Sequence, residues 1–546
     1  MRSKRNQFAL KMESLENREV PASVSLTLGV LKVEGSNSAD IIQITTSNQM
    51  VNATVRDSTT GLFLAIGSFS TVQVTSLRVD AFDGNDIIKN KTSLNSDIRG
   101  GNGNDQLFGG TGADMLCGGF GNDVLMSIGG GSADILWGQA DVDSFWLDSE
   151  ATERIGDLEA TEISKGHVHR VAGFRTNMYE LDLNDDKVVQ DQAPVSEVIS
   201  RTLNGQNLMD PPQRQADGNL VIRNFSGNLL FSVNGPSAND INQGNLGDCY
   251  FLSPIGAVAD RNPDRIRQLV ADLGDGTYVV HFRNSNGTDA FVRVDADLWV
   301  SPGSTTPSYA GLGTDGSLWV AIMEKAWAFH RHNQSTASLS RGGYDSASNA
   351  AGYYARTGEV LLHDALNLPS VACSNGSPEN APAGNPGGVP TDSDFATQQG
   401  LINFLRNELS LGKAVTLSAH SSLGNGSPLV RTFAAPDAEI LLRKDAISQL
   451  EESRTLYAAF PDNDFFRRSY ETCQAELAVI DARWQANSWA ESPTYRRGQH
   501  VYMVVSVSAD NQIVTLRNPG NGRVLVTATA SDLFFTCRSI RTYQVS

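Results

Sequence analysis

Between Gly100 and Met126 the chain spells out one nine-residue pattern three times without a break, GGNGNDQLF, GGTGADMLC and GGFGNDVLM. Two looser copies, GGGSADILW and GQADVDSFW, follow Ser127 and Ile128, and FDGNDII around Asp86 is a partial one. Two adjacent glycines and a third two residues on allow tight turns. The aspartate at the sixth position (Asp105, Asp114, Asp123, Asp134, Asp143) supplies the kind of oxygen that a hard cation such as Ca2+ takes as ligand. The apolar residue two places further on (Leu107, Leu116, Leu125, Leu136, Phe145) points inward. Each repeat is one turn plus one very short strand, and stacked repeats make a parallel β-roll with calcium held between successive turns. A flexible Gly/Asn/Asp linker is the alternative reading. A linker, however, has no reason to keep an apolar residue two places after every aspartate.

A chain of 546 residues is too long for one typical core and predicts about two to four domains. At 40% apolar and 19% charged residues it can build real cores and is not a disordered chain. Its 61 acidic against 43 basic residues, a net charge of −18, argue against a nucleic-acid or anionic-membrane partner and suit a chain that collects cations. The five cysteines (Cys117, Cys249, Cys373, Cys473, Cys537) form no CxxC pair, so neither a zinc site nor a disulfide framework is legible. No run reaches the roughly 18–20 apolar residues of a membrane span.

Residues 1–25 read as a leader without an ordinary secretory h-region. Residues 26–82 alternate apolar and polar positions and read as β-strands, with the roll over 83–148. Residues 149–232 are the least legible. There Asp182, Asn184 and Asp186 have EF-hand-like spacing, but Lys187 stands in place of the glycine, and a solvated acidic loop is the better reading. MDPPQRQADGN (209–219) reads as a connector, and 373–394 as an exposed loop. From 233 onward helical and strand patterns mix, ending in strands joined by Asn/Gly turns.

Within that last part, INQGNLGDCYFL (241–252) puts Cys249 after Gly247 and Asp248 at the head of an apolar helix. A helix N-terminus lowers a thiol's pKa, which favours the nucleophilic thiolate. Of the eight histidines, His167 and His169 sit in the illegible segment, and His330 and His332, at the end of an amphipathic helix, are expected in ordinary surface or capping roles. His500 instead opens the strand HVYMVVSV, which turns into IVTLRNPG and brings Asn518 onto a neighbouring strand. Cys, His, Asn is the order of a papain-like site, in which the asparagine orients the imidazole and the histidine takes the thiol proton. The plain alternative is that Cys249 is a buried thiol.

The repeats resemble the RTX-type calcium repeats (GGxGxDxUx). QGNLGDCYFL resembles the calpain signature QGxxGDCW[FL]L, GQHVYMVV its histidine motif and LRNPG its asparagine motif. LWVAIMEKAWA, LSRGG and FVRVDADLW resemble further calpain segments in family order. The resemblance implies a multidomain chain, an N-terminal β-strand region and parallel β-roll followed by an α+β papain-like calpain core with a Cys subdomain (233–343) and a His/Asn subdomain (344–546). It implies Cys249 as nucleophile, His500 as general base and then acid, Asn518 as orienting group and Gln243 as oxyanion donor. It also implies a core Ca2+ site at Val233, Gly235, Asp240 and Glu324, with helix capping as the other reading of Asp240.

Three positions depart from the family pattern: Gly520 stands where a shielding tryptophan follows the Asn-Pro pair, Tyr250 replaces another tryptophan, and Pro254 enters the Cys249 helix. The expected function is a calcium-dependent cysteine endopeptidase acting on polypeptides; the alternative is a catalytically weak or inactive calcium-dependent surface or binding protein. The repeats, and a start that resembles the LExRxxPA leader of planctomycete surface or exported proteins, lead us to expect an extracellular, cell-surface or periplasmic place.

Overall fold

The structure is a computed structural model. It describes residues 21–129, 133–149, 152–172, 210–232, 235–283, 288–334, 343–347, 370–374, 398–419, 449–458, 464–486, 500–521, 525–530 and 537–543, with Leu208, Ala446, Leu533 and Val545. The leader up to residue 20, the EF-hand-like stretch at 182–186 and nearly all of the loop 373–394 lie outside them. Two compact units are formed, Met1–Pro236 with Asp264–Ser348, and Ser237–Pro263 with Asn349–Ser546.

Glycine-rich turns and single inward apolar residues produce the two-sheet body of the first unit. One sheet takes, in spatial order, Ser23–Thr27, Val30–Glu34, Ser76–Asp83, Ser96–Asn102, Asp114–Phe120, Ile135–Ala140 and Arg154–Ile155. The other takes Val168–Val171, Ser144–Asp148, Val124–Met126, Gln106–Phe108, Ile87–Lys91, Asp40–Ser47, Met50–Asp57 and Phe63–Ser70. Successive nonapeptides alternate between the sheets, and their strands pair in parallel, Leu107 beside Leu125 and Leu125 beside Phe145. Those side chains, with Leu116 and Leu136, are fully buried between the sheets alongside Ile42, Ile88 and Ile98. Gly101, at φ +123°, shows why the turns need glycine, since a Cβ there would lie 1.9 Å from the carbonyl oxygen of Phe82. Parallel stacking runs beyond the repeats at both ends, through Ile41 beside Ile87 and through Trp146 beside His169.

An antiparallel sheet of Val270–Asp272, Thr277–Arg283 and Asp289–Asp295 belongs to the same unit. Phe108, Met126, Ile128, Trp146 and Val171 of the roll share one apolar cluster with Ala271, Leu273, Val279 and Phe291 of this sheet. The helix Trp319–Gln334 buries its Lys325, which reaches the carboxylates of Asp295 and Asp210. With Pro211 accepting a hydrogen bond from the Trp299 indole, the expected connector at 209–219 is fastened to the core.

The histidines correct the sequence reading. His330 is buried rather than on the surface, stacked on Phe282, and in the illegible segment His167 and His169 are buried as well, His169 stacked on Trp146; the side chain of His332 lies outside the described residues. Spacing along a helix or an illegible segment does not reveal an aromatic partner that arrives from a distant strand.

In the second unit six antiparallel strands follow the order Ser370–Ser374, Cys537–Tyr543, Ala414–Ala419, His500–Val507, Ile513–Arg517 and Leu525–Thr529. Alternate residues of the His500 strand serve opposite faces. Tyr502 and Val504 pack with Leu401, Ile402 and Leu405 of the helix Gln398–Ser410. Met503 faces the helix Cys249–Arg261 so closely that a Cβ on Gly256 would lie 2.6 Å from its sulfur.

Candidate functional site

Cys249 is the first residue of a 13-residue helix that runs uninterrupted through Pro254. The Asp248 carbonyl starts the helix by accepting from the N–H groups of Phe251 (2.7 Å) and Leu252 (3.1 Å). Ser253 donates its hydroxyl to the Val501 carbonyl at 2.7 Å, and Arg261 donates to the Val505 carbonyl at 3.0 Å. These two bonds fix the helix along the strand that His500 opens.

The thiol departs from the sequence expectation. Burial pushes Cys249 up to about 11, and the neighbouring Asp248 charge adds to this, although backbone N–H groups of Val501, Tyr250 and Cys249 itself oppose it. The helix start alone does not make this sulfur a thiolate, because desolvation of the charged form outweighs the N–H donors around it. A neighbouring cation is needed.

Extending the pairing of Met503 with Arg517 puts His500 and Asn518 at the same end of two adjacent strands. Asn518 is buried, and its Oδ1 accepts from the Gly520 N–H at 2.9 Å. The backbone of His500 is described and pairs with Ala419; its side chain lies outside the described residues. The backbone N–H of Gln243 donates to the Pro519 carbonyl at 2.8 Å, so the loop before the cysteine is tied to the turn after Asn518. The Gln243 side-chain amide donates to the Leu246 carbonyl at 2.6 Å and to Asp248 Oδ1 at 3.2 Å. Gln243, Cys249, Asn518 and the backbone of His500 therefore come together within one unit.

The expected core calcium ligands are Val233, Gly235, Asp240 and Glu324. Val233 lies outside the described residues. Gly235 and Glu324 belong to the first unit and Asp240 to the second. Asp240 closes a capping box, accepting from the Ser237 N–H at 2.9 Å, and Glu324 accepts from the Ala310 N–H at 2.8 Å.

In the roll the repeat aspartates form ladders. The N–H groups of Asp40, Asp86, Asp105 and Asp123 donate to Oδ1 of Asp86, Asp105, Asp123 and Asp143 in turn, at 2.7–2.9 Å, and Asp143 donates to Glu162. On the other edge Asp114 donates to Asp134 at 2.8 Å. Oδ2 of Asp86, Asp105 and Asp123 has no hydrogen-bond partner among the described residues. Beside Gly100, a Cβ would lie 2.2 Å from Asp105 Oδ2 and 2.8 Å from the Gly118 carbonyl; Gly118 repeats this with Asp123 and the Gly138 carbonyl. A buried carboxylate and a backbone carbonyl thus converge on a space that only glycine leaves open, which fits an oxygen-seeking cation such as Ca2+. No group of three or more His, Cys, Asp or Glu side chains gathers as a metal cluster among the described residues.

Burial pushes Asp86 and Asp123 up to about 9 and Asp105 and Asp143 up to about 7, so the ladder carries protons unless a cation replaces them. Asp40 and Glu162, its two ends, escaped the sequence reading. The signal for Asp40 was there, since Gly35 precedes it by five residues and Ile42 follows it by two, as Gly100 and Leu107 flank Asp105.

A cysteine-led helix laid along a strand that begins with histidine, beside a buried asparagine, has the elements of a thiol hydrolase, and the carboxylate ladder has those of a calcium-binding roll. Two known protein families match parts of the chain. The family model described as Calpain family cysteine protease matches residues 221–363, and the RTX calcium-binding nonapeptide repeat matches 92–125 and 127–150. Residues 221–363 are thus similar to calpain-family cysteine proteases, and residues 92–150 to RTX calcium-binding repeats. The calpain match includes Gln243 and Cys249 and stops before His500 and Asn518. Among curated proteins, the calpain-type cysteine protease DEK1 of Zea mays is 36% identical over 110 residues, 19% of this chain and 4% of that protein. The calpain-type cysteine protease ADL1 of Oryza sativa subsp. japonica matches to the same extent. The chain thus spans only about 4% of the length of these relatives.

Proposed function

We propose that the protein is a calcium-dependent cysteine endopeptidase of the calpain type. The observation that carries this reading is the 2.7 Å hydrogen bond from Ser253 to the Val501 carbonyl, which lays the helix led by Cys249 beside the residue that follows His500. Cys249 attacks the carbonyl carbon of a peptide bond, His500 takes the thiol proton and delivers it to the leaving amine, and water then hydrolyses the thioester. An imidazolium at His500 is the cation that a thiol held near 11 requires. Asn518 orients the imidazole. The oxyanion takes the Cys249 N–H and the Gln243 amide, once substrate displaces that amide from Leu246 or Asp248.

Calcium at Asp105, Asp114, Asp123, Asp134 and Asp143 belongs to the same proposal. RTX-type repeats suit work outside the cytosol, where calcium is plentiful, and among the described residues no helix is long and apolar enough to cross a membrane. A second reading, a calcium-dependent binding protein with a weak or inactive protease core, is favoured by Gly520 in place of the shielding tryptophan and by the engaged Gln243 amide. Casein hydrolysis by the protein and its Cys249→Ala variant, with millimolar calcium and with chelator, separates the two. Activity that needs both Cys249 and calcium is the expected result; no activity from folded protein in either condition selects the binding reading.

A further inference from the structure

The RTX repeats show an asymmetry between the two sheets of the roll. The ninth residue of alternate repeats, Phe108, Met126 and Trp146, points out of one sheet, and these three are at most 2% exposed. The same position on the other sheet carries Cys117 and Trp137, and Trp137 is 38% exposed. A free-standing roll has no reason to bury one outer row and expose the other. The buried row lies under the antiparallel sheet of residues 270–295, in a cluster shared with Ala271, Val279 and Phe291.

Polar groups close the same contact. Lys89 pairs with Asp272, and Gln268 bridges His169 and Ser144. His167 lies 3.4 Å from Asp264, in the segment that directly follows the Cys249 helix. Each member of the apolar row sits three residues after a ladder aspartate (Asp105, Asp123, Asp143) on the strand that this aspartate's turn begins.

We propose that the roll is a permanent, calcium-conditioned part of the protease fold rather than a detachable pro-segment, and that calcium taken up by its ladder stabilises the 270–295 sheet through the row Phe108, Met126 and Trp146. Cation-bound turns hold the short strands in register, register aligns the row, and the row supplies one side of the sheet's apolar core. Without the cation nothing joins each ladder carboxylate to the facing carbonyl of the next turn, the register loosens, and the sheet loses that side.

Hydrogen exchange on the full-length chain tests this without reference to proteolysis. At calcium near 100 times its dissociation constant, amides of both the roll and the 270–295 sheet should exchange about a hundredfold more slowly than in chelator, the factor expected when a ligand binds only the ordered state. Met126→Asp places a charge in the row and leaves every ladder carboxylate intact. It should keep the roll's calcium uptake, measured by equilibrium dialysis, and remove the calcium response of the 270–295 amides. An exchange rate of that sheet indifferent to calcium overturns the proposal, and so does a response that survives in Met126→Asp, which would mean that calcium acts on the sheet from elsewhere. If Met126→Asp loses calcium uptake, Phe108→Ser, on an outer strand position of the preceding coil, takes its place under the same two criteria.

Discussion

Cys249 illustrates how far a single residue can be read. Its place before an apolar run and after Gly247 and Asp248 was visible in the chain, and so was its order with His500 and Asn518. The strength of the desolvation around its sulfur was not, because burial comes from packing the helix on a strand 248 residues further along the chain. The consequence can be measured by iodoacetamide alkylation across pH. In His500→Ala, alkylation of Cys249 should follow a thiol near 11 and stay slow at neutral pH. In the intact protein a paired imidazolium should bring the reactive form down to neutral pH, at least about a hundredfold faster at pH 7 for a shift of two units or more. Superimposable profiles would sink the ion-pair reading and leave Cys249 a buried thiol.

At the scale of elements the roll was the most legible part, since a nine-residue period fixes turn, ligand and inward residue at once. Its ends were harder to read. Asp40 extends the ladder with one glycine and the repeat's spacing left, whereas Glu162 reaches it from the helix Ala160–Lys165, outside the repeat pattern. The ladder also makes pH act in an unusual direction. A carboxyl whose folded pKa lies above its unfolded value stabilises the fold below the unfolded pKa and loses that contribution as pH rises through the folded one. Asp105 and Asp143 near 7 and Asp86 and Asp123 near 9 place this window from the ordinary carboxylate range up to about 9. Calcium-free protein should therefore have a roll that exchanges its amides faster at pH 8 than at pH 5 after correction for intrinsic rates. Calcium affinity should rise over the same interval, because the cation binds the deprotonated ladder. A calcium-free roll that gains protection as pH rises would show that burial does not govern these carboxyls.

On the scale of the whole molecule, sequence order and compactness part company. Motifs read along the chain divide it into consecutive segments, whereas the backbone leaves the first unit at Pro236, returns at Asp264 and leaves again after Ser348. Nothing local announces these crossings. They arise because the Cys249 helix finds its packing on Met503 and Val501, while the next residues find theirs on the roll. Two units with separate apolar clusters should unfold in two calorimetric steps rather than one. Calcium taken up by the ladder should raise the step belonging to the roll and the 270–295 sheet. Alkylation of Cys249, which forces an added group into a site only 8% exposed, should lower the other step through overpacking by about 1–3 kcal/mol. A single transition moved by both treatments would mean that the two units share one cooperative core, and that the crossings join them more tightly than their separate clusters imply.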